Sequence, residues 1–324
     1  MPLRVAGLAM LAVFSLPAIV ATAQQDVPPA PAQEPSAPAP AAAPTFPAPD
    51  PANFTAASPS KETVNAFLQA SWGFDETRVW QIAAILKTPV EGVTKVIIYV
   101  GDKTGKQKPA GFGFFVMPDG KHIIASDEVL PFGDHPYADN RATLQQKADG
   151  PYRGAATKEL ELVEFADFEC PHCKEAQANM EKLAVDFPKA RIVFENYPLP
   201  QHKEAAGAAA YGVCVAKEGS STAFFTFAGA VFDGQDGLAT PDGATLTLNS
   251  AVTKAGLDPV KIAACAALPA TKATVDASVK LAKDLDINST PTLLVNGRPV
   301  SPNGPYDQIK KMIEYQEKLD GITQ

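Results

Sequence analysis

The sequence predicts an α/β protein in which a small α+β domain over residues 60–150 precedes a larger domain over residues 151–324. Three observations predict the larger domain. Residues 160–166 read as a buried strand that runs straight into a helix opening at Cys170 and Pro171. A second apolar strand occupies residues 191–197. Near the C-terminus, residues 292–295 and 299–300 form a hairpin turning at Asn296-Gly297, followed by an amphipathic helix carrying Ile309, Met312, Ile313 and Leu319. The result is a β-α-β start and a β-β-α finish, with a mostly helical insertion over about residues 198–288.

The smaller domain is read from its periodicities. Val64, Phe67 and Leu68 recur at helical spacing, and Val79, Ile82, Ala83, Ile85 and Leu86 do so again until Pro89 stops the second helix. Residues 94–100, 111–117 and 121–125 read as strands, the last two joined by the turn Pro118-Asp119-Gly120. His122 and His135 stand alone and read as surface residues, so this domain carries no catalytic constellation. Residues 134–153, polar and ending in glycines, are expected to link the two domains.

Ahead of both domains lie two segments that do not read as globular. Residues 1–23 combine Arg4, an apolar run from Val5 to Val20 and the small-x-small signal Ala21-Thr22-Ala23, the pattern of a cleaved secretory signal peptide. Residues 24–59 hold 11 of the 30 prolines and little but alanine besides, so a disordered, extended linker is expected there. Acidic residues outnumber basic ones 36 to 28, and the net charge of −8 excludes a broad basic surface for nucleic acid. Four cysteines are too few for a disulfide scaffold, but two of them form Cys170-Pro171-His172-Cys173.

That motif is arranged for thiol chemistry. The reactive species is the thiolate, and the free N–H groups and dipole at a helix start stabilise it. Pro171 suits the first helical position, since its missing N–H would have had no partner there. His172 adds a donor or a positive charge that lowers the Cys170 pKa further, and Cys173, one turn in, is the resolving thiol. The motif has two other readings: half a zinc site, for which only the distant Cys214, Cys265 and His202 remain as ligands, and a plain structural disulfide. Neither fits as well, so no metal is expected and the only redox group is the Cys170–Cys173 pair itself.

The run Glu164-Phe165-Ala166-Asp167-Phe168-Glu169-Cys170-Pro171-His172-Cys173, with Ser289-Thr290-Pro291-Thr292-Leu293-Leu294-Val295-Asn296-Gly297 downstream, resembles the DsbA-type, thioredoxin-fold disulfide oxidoreductases of the bacterial cell envelope. The resemblance spans residues 160–319 and implies a thioredoxin fold with a helical insertion. It implies that Pro291 is a cis-proline facing the cysteines and that Thr290 pairs with an extended substrate. Thr290 departs from the valine of typical DsbA and resembles the threonine of the DsbC isomerases. Glu164 falls where the fold keeps a buried acid that exchanges a proton with Cys173, the alternative being a surface residue on an edge strand. Cys214 and Cys265 lie in the insertion outside any reactive motif and are expected to pair, as members of this subgroup do. Asp167 and Glu169 are expected on the solvent side, with Glu169 raising the Cys170 pKa, and His202 as a structural or capping residue.

The function these observations imply is a thiol-disulfide oxidoreductase that forms or rearranges disulfides in exported, cysteine-containing proteins, recycled by a membrane redox partner. A dimeric isomerase or reductase is the alternative, because the Asp119-Gly120-Lys121-His122-Ile123-Ile124 segment looks like a hairpin of the DsbC dimerisation domain. An alternative of another class is a periplasmic chaperone or binding module with incidental cysteines.

Overall fold

The computed structural model describes residues 45–104 and 108–322; the expected signal peptide and residues 24–44 of the expected linker lie outside the described residues. The first domain is a helix, α1 (Lys61–Trp72), laid on an antiparallel sheet of five strands in sequential order. These are β1 (Arg78–Lys87), β2 (Thr94–Asp102), β3 (Ala110–Val116), β4 (His122–Ala125) and β5 (Glu128–Pro131). Ser60 starts α1 by accepting a hydrogen bond from Thr63 N at 3.2 Å. Val64, Phe67 and Leu68 then pack on Ile82, Ile85, Val96 and Ile98 of the sheet.

Two expectations fail here. Residues 79–86, expected as a helix, form strand β1. The register steps from Ile82 opposite Ile98 to Ala84 opposite Ile97, so a β-bulge absorbs one residue. The extra residue turns Ile82 and Ile85 to the same face, a separation of three that imitates a helical repeat. The linker, expected disordered to residue 59, is packed over its described end. Phe54 and Ala56 join the core of this domain, and Thr55 N and Ala56 N donate to Ile85 O at 2.9 and 3.1 Å. The ring of Phe46 stacks on Tyr99 at 6.5 Å. Two phenylalanines give this end of the tract the apolar surface that proline and alanine lack.

Residues 134–153 are likewise not a linker. They contain α2 (Ala138–Lys147), whose Leu144 is buried with Val163 and Leu281, and β6 (Tyr152–Gly154), an edge strand of the second sheet. The remaining elements are β7 (Glu161–Ala166), α3 (Pro171–Asp186), β8 (Arg191–Asn196), α4 (Ala205–Glu218), α5 (Ser221–Asp233), α6 (Pro241–Lys254), α7 (Pro259–Ala266), α8 (Pro269–Asp284), β9 (Thr292–Val295), β10 (Arg298–Val300) and α9 (Tyr306–Leu319). The sheet order is β10-β9-β7-β8-β6, with β7 parallel to β8 and antiparallel to β9. Every residue of β7 and β8 is buried.

Alternation along β7 decides what each side chain meets. Leu162 packs on one face with Met180 and Leu183 of α3 and Ile309 and Ile313 of α9. Val163 and Phe165 pack on the other face with Leu281 and Leu285. Helices α4 to α7 form a third core of their own around Phe224, Phe227 and Val231, which Phe168 enters from the loop after β7. Among the described residues no helix is long and apolar enough to cross a membrane.

The two domains meet at the β9–β10 turn. Gly297, at φ +86°, lies so close to α2 that an added Cβ would stand 2.6 Å from Arg141 N and Tyr137 O. Next to it the buried guanidinium of Arg298 donates to Ala70 O and Ser71 O at the end of α1 and to Gln316 Oε1 of α9. Tyr315 OH donates to Gln69 O at 2.6 Å beside it.

Candidate active site

Strand β7 ends at Ala166, and after three intervening residues the chain enters α3 with Cys170 as its N-cap and Pro171 at its first position. Cys170 O accepts from Cys173 N at 3.1 Å and from Lys174 N at 3.3 Å, so the Cys170–Pro171 peptide begins the helical ladder. Both cysteines are free thiols and both are buried, Cys170 at 5% exposure and Cys173 at 0%. Asp167 N donates to Cys173 Sγ at 3.4 Å.

The two thiols are pushed in opposite directions. The Cys173 thiol donating to it holds Cys170 down at about 5, against the cost of burial, with help from Thr290 and from the backbone N–H groups of Cys173 and His172. Burial, followed by the hydrogen bond to Cys170, pushes the Cys173 thiol far up. One cysteine is a thiolate at neutral pH while its neighbour keeps its proton. His172 assists through its backbone; its imidazole points outward, with Nδ1 2.9 Å from Glu175 Oε2, and that hydrogen bond raises its own pKa.

The loop before β9 supplies the opposite wall. The Thr290–Pro291 peptide is cis, and Thr290 O lies 3.5 Å from Cys170 Sγ, which donates to it only as the protonated thiol. The Thr290 hydroxyl is buried on the Cys170 side and has no further hydrogen-bond partner among the described residues. Glu164 lies inside the protein beneath α3, not on an edge strand, because β7 is the middle strand of the sheet. Burial pushes its carboxyl up to about 7, and Gln177 Nε2 donates to it at 3.1 Å. The same amide nitrogen donates to Cys173 O at 3.1 Å.

The two acids expected on the solvent side are placed otherwise. Asp167 is 1% exposed, and its carboxylate accepts from Glu169 N at 2.8 Å and Leu199 N at 2.7 Å and pairs with His202 Nδ1 at 2.8 Å. The loop after β8 folds back over it and supplies the donors that burial demands. Glu169 is half-buried and accepts from Glu204 N at 2.6 Å, at the start of α4, so its charge is engaged there instead of pressing on Cys170. His202 is the partner of Asp167. Cys214 and Cys265 are joined by a disulfide that ties α4 to α7 within the core that also contains Cys170 and Cys173.

Three residues that hold the site escape sequence reasoning. Besides Gln177, Gln235 Nε2 donates to Phe168 O at 2.8 Å and to Cys170 O at 2.9 Å, and Asn303 Nδ2 donates to His172 O at 3.1 Å. Gln177 had a signal, its place one helical turn after Cys173 on the face toward Glu164. Gln235 and Asn303 sit in polar loops where nothing distinguishes them.

A family model described as Thioredoxin matches residues 146–315, just over half of the chain. Among curated proteins, the Na(+)/H(+) antiporter NhaA 1 of Mycolicibacterium vanbaalenii is 31% identical over 159 residues, which cover 48% of this chain and 24% of that protein. The chain thus spans about a quarter of the length of the curated relatives it matches. Among solved structures, similarity extends to a thioredoxin-like oxidoreductase from Silicibacter pomeroyi, with a TM-score of 0.47, 22% identity, and coverage of 55% of this chain and 98% of that one. It extends also to the thiol-disulfide exchange protein alpha-DsbA2 from Wolbachia pipientis, with a TM-score of 0.47, 19% identity, and coverage of 55% and 96%.

Proposed function

Because the chain belongs to the thioredoxin family, we propose that it is a protein thiol-disulfide oxidoreductase of the DsbA type, acting through Cys170 and Cys173 on exported, cysteine-containing proteins. One observation carries the reading: at the start of α3 the Cys170 thiol is held down at about 5 while the buried Cys173 thiol is pushed up. A thiolate stabilised in this way is a good leaving group, which favours the reduced enzyme and makes the oxidised one a donor of disulfides.

In the oxidising direction, a substrate thiolate attacks Cys170 Sγ of the Cys170–Cys173 disulfide. The S–S bond breaks, its electron pair goes to Cys173 Sγ, and a substrate–Cys170 mixed disulfide forms. Cys173 takes a proton, which Glu164 delivers, since a carboxyl titrating at about 7 is matched to proton exchange near neutral pH. A second substrate thiolate attacks the substrate sulfur of the mixed disulfide and expels Cys170 as the thiolate. Two electrons leave the substrate dithiol, and a membrane redox partner removes them to restore the disulfide. Thr290, whose carbonyl and hydroxyl both face Cys170, receives the substrate backbone. An oxidising, exported location suits the Cys214–Cys265 disulfide.

The test is refolding of a reduced client protein, reduction of insulin, and the reduction potential of the Cys170–Cys173 pair. Cys170→Ser is expected to abolish both activities, and a potential near that of cytosolic reductants would overturn the oxidising direction. A dimeric isomerase is the second reading, favoured by an outward row on the first sheet in which Phe115 pairs with Ile124 and Ile124 with Val129, the last 65% exposed. Light scattering separates a dimer from a monomer.

A further inference from the structure

The loop that delivers the nucleophile is gripped residue by residue by the insertion. Asp167 is held by Leu199 N and His202, Glu169 by Glu204 N, and the ring of Phe168 lies against Phe227 and Phe232 at 5.8 and 5.2 Å. None of these contacts reaches Cys170. Gln235 does: it opens the short 3-10 turn Gln235–Ala239 that follows α5, and its one amide nitrogen donates to both Phe168 O and Cys170 O. Among the described residues this is the insertion's one hydrogen bond to Cys170.

Two carbonyls tied to a single nitrogen cannot rotate independently. Cys170 N is held by Asp167 O at 3.1 Å, but the peptide joining Cys170 to Pro171 has no N–H of its own to anchor it, so the orientation of that peptide depends on what the Cys170 carbonyl accepts. The ladder bonds from Cys173 N and Lys174 N fix that carbonyl on the helix side, and Gln235 fixes it on the loop side. With the carbonyl fixed, Sγ is aimed at the N–H groups of His172 and Cys173 and at Thr290.

We propose that Gln235 is a positioning residue for the reaction: by clamping the carbonyls of Phe168 and Cys170 it sets the direction of the Cys170 sulfur and so the stability of its thiolate. The inference rests on the thiol-disulfide reading and adds to it the part of the insertion that acts on the chemistry.

The experiment is a titration of the reduced full chain, following thiolate ultraviolet absorbance and the rate of alkylation by iodoacetamide against pH. It is run on wild type, Gln235→Leu, which keeps the shape and loses the donor, and Gln235→Glu, which sets an acceptor against two carbonyls. Loss of the clamp is expected to raise the Cys170 midpoint by about one pH unit in Gln235→Leu. The rise is expected to be larger in Gln235→Glu, and the equilibrium constant against glutathione should shift about tenfold, or ~30 mV, toward a less oxidising pair. A residue that merely packs would lower the melting temperature and leave the midpoint in place. Variants that titrate with wild type therefore overturn the proposal. If Gln235→Leu fails to fold, Gln235→Glu carries the same titration. A wild type whose Cys170 titrates like an ordinary thiol, or that reduces no insulin, overturns the thiol-disulfide reading instead, so the two failures are told apart.

Discussion

Gln177 donates through one amide nitrogen to the buried carboxyl of Glu164, at 3.1 Å, and thereby links the middle strand of the sheet to the helix that carries the cysteines. The same nitrogen reaches Cys173 O, so a proton held at Glu164 and the turn bearing the Cys173 thiol share one anchor. Glu164→Gln is expected to slow the steps that load or unload the Cys173 proton by up to roughly 10²-fold, and to remove the inflection near pH 7 from their pH profile. Stopped-flow measurement of mixed-disulfide resolution reads this directly.

The same carboxyl predicts a stability profile. Its folded pKa of about 7 lies above the ordinary value of 4.5, so the folded state holds the proton more tightly. The resulting stability is complete below about pH 4.5, declines as pH rises and is gone above about pH 7, a change of about 3 kcal/mol. Urea unfolding across this range should show the slope in wild type and lose it in Glu164→Gln. An identical slope in the variant would place the titration elsewhere.

Cys170 predicts the opposite slope, and only in the reduced protein. Its folded pKa of about 5 lies below the ordinary 9.0, so its contribution is complete above about pH 9 and disappears as pH falls through about 5. The excess stability of the reduced over the oxidised form should therefore shrink on acidification. Cys173→Ala removes the largest cause of the shift and should move the Cys170 alkylation midpoint back toward that of an ordinary thiol.

Asp167→Ala should be costly although the residue lies outside the cysteine motif. It leaves the N–H groups of Glu169 and Leu199 buried or half-buried without their acceptor and takes the partner from His202, a loss of about 3 kcal/mol. Chemical denaturation measures it. An unchanged midpoint would mean that water replaces the carboxylate without penalty.

Replacing Cys214 and Cys265 together by alanine should lower stability by about 2–4 kcal/mol, since the bridge closes a 51-residue interval. The Cys170 titration should be unaffected, which separates scaffold from chemistry.

The sequence made the chemical centre legible because that chemistry depends on local order. A Cys-Pro-His-Cys run at a helix start after a buried strand has few other uses, and a Thr-Pro ahead of the closing hairpin fixes the opposite wall. Where the reading failed, the missing information was non-local. Ile82 and Ile85 imitate a helix because of a bulge that only the pairing with β2 exposes. Asp167 reads as solvent-facing until the loop after β8 folds over it and brings His202. Gln235, 65 residues beyond Cys170, acquires its role only when the insertion closes on the loop.

The arginine at the β9–β10 turn bears on any attempt to transplant the redox half of this chain into another protein. Arg298 is 2% exposed and spends its donors on the last carbonyls of α1 and on Gln316, and burial already lowers its pKa. An excised fragment beginning after residue 150 would uncover that charge in a socket shaped for a helix end. Arg298 pairs with Val295, beside the start of β7, whereas Pro291 lies at the other end of β9, so the scar of the excision would open the sheet at the end away from the sulfurs. A transplant needs a substitute for α1, or an apolar residue at position 298, before it can be judged as a catalyst.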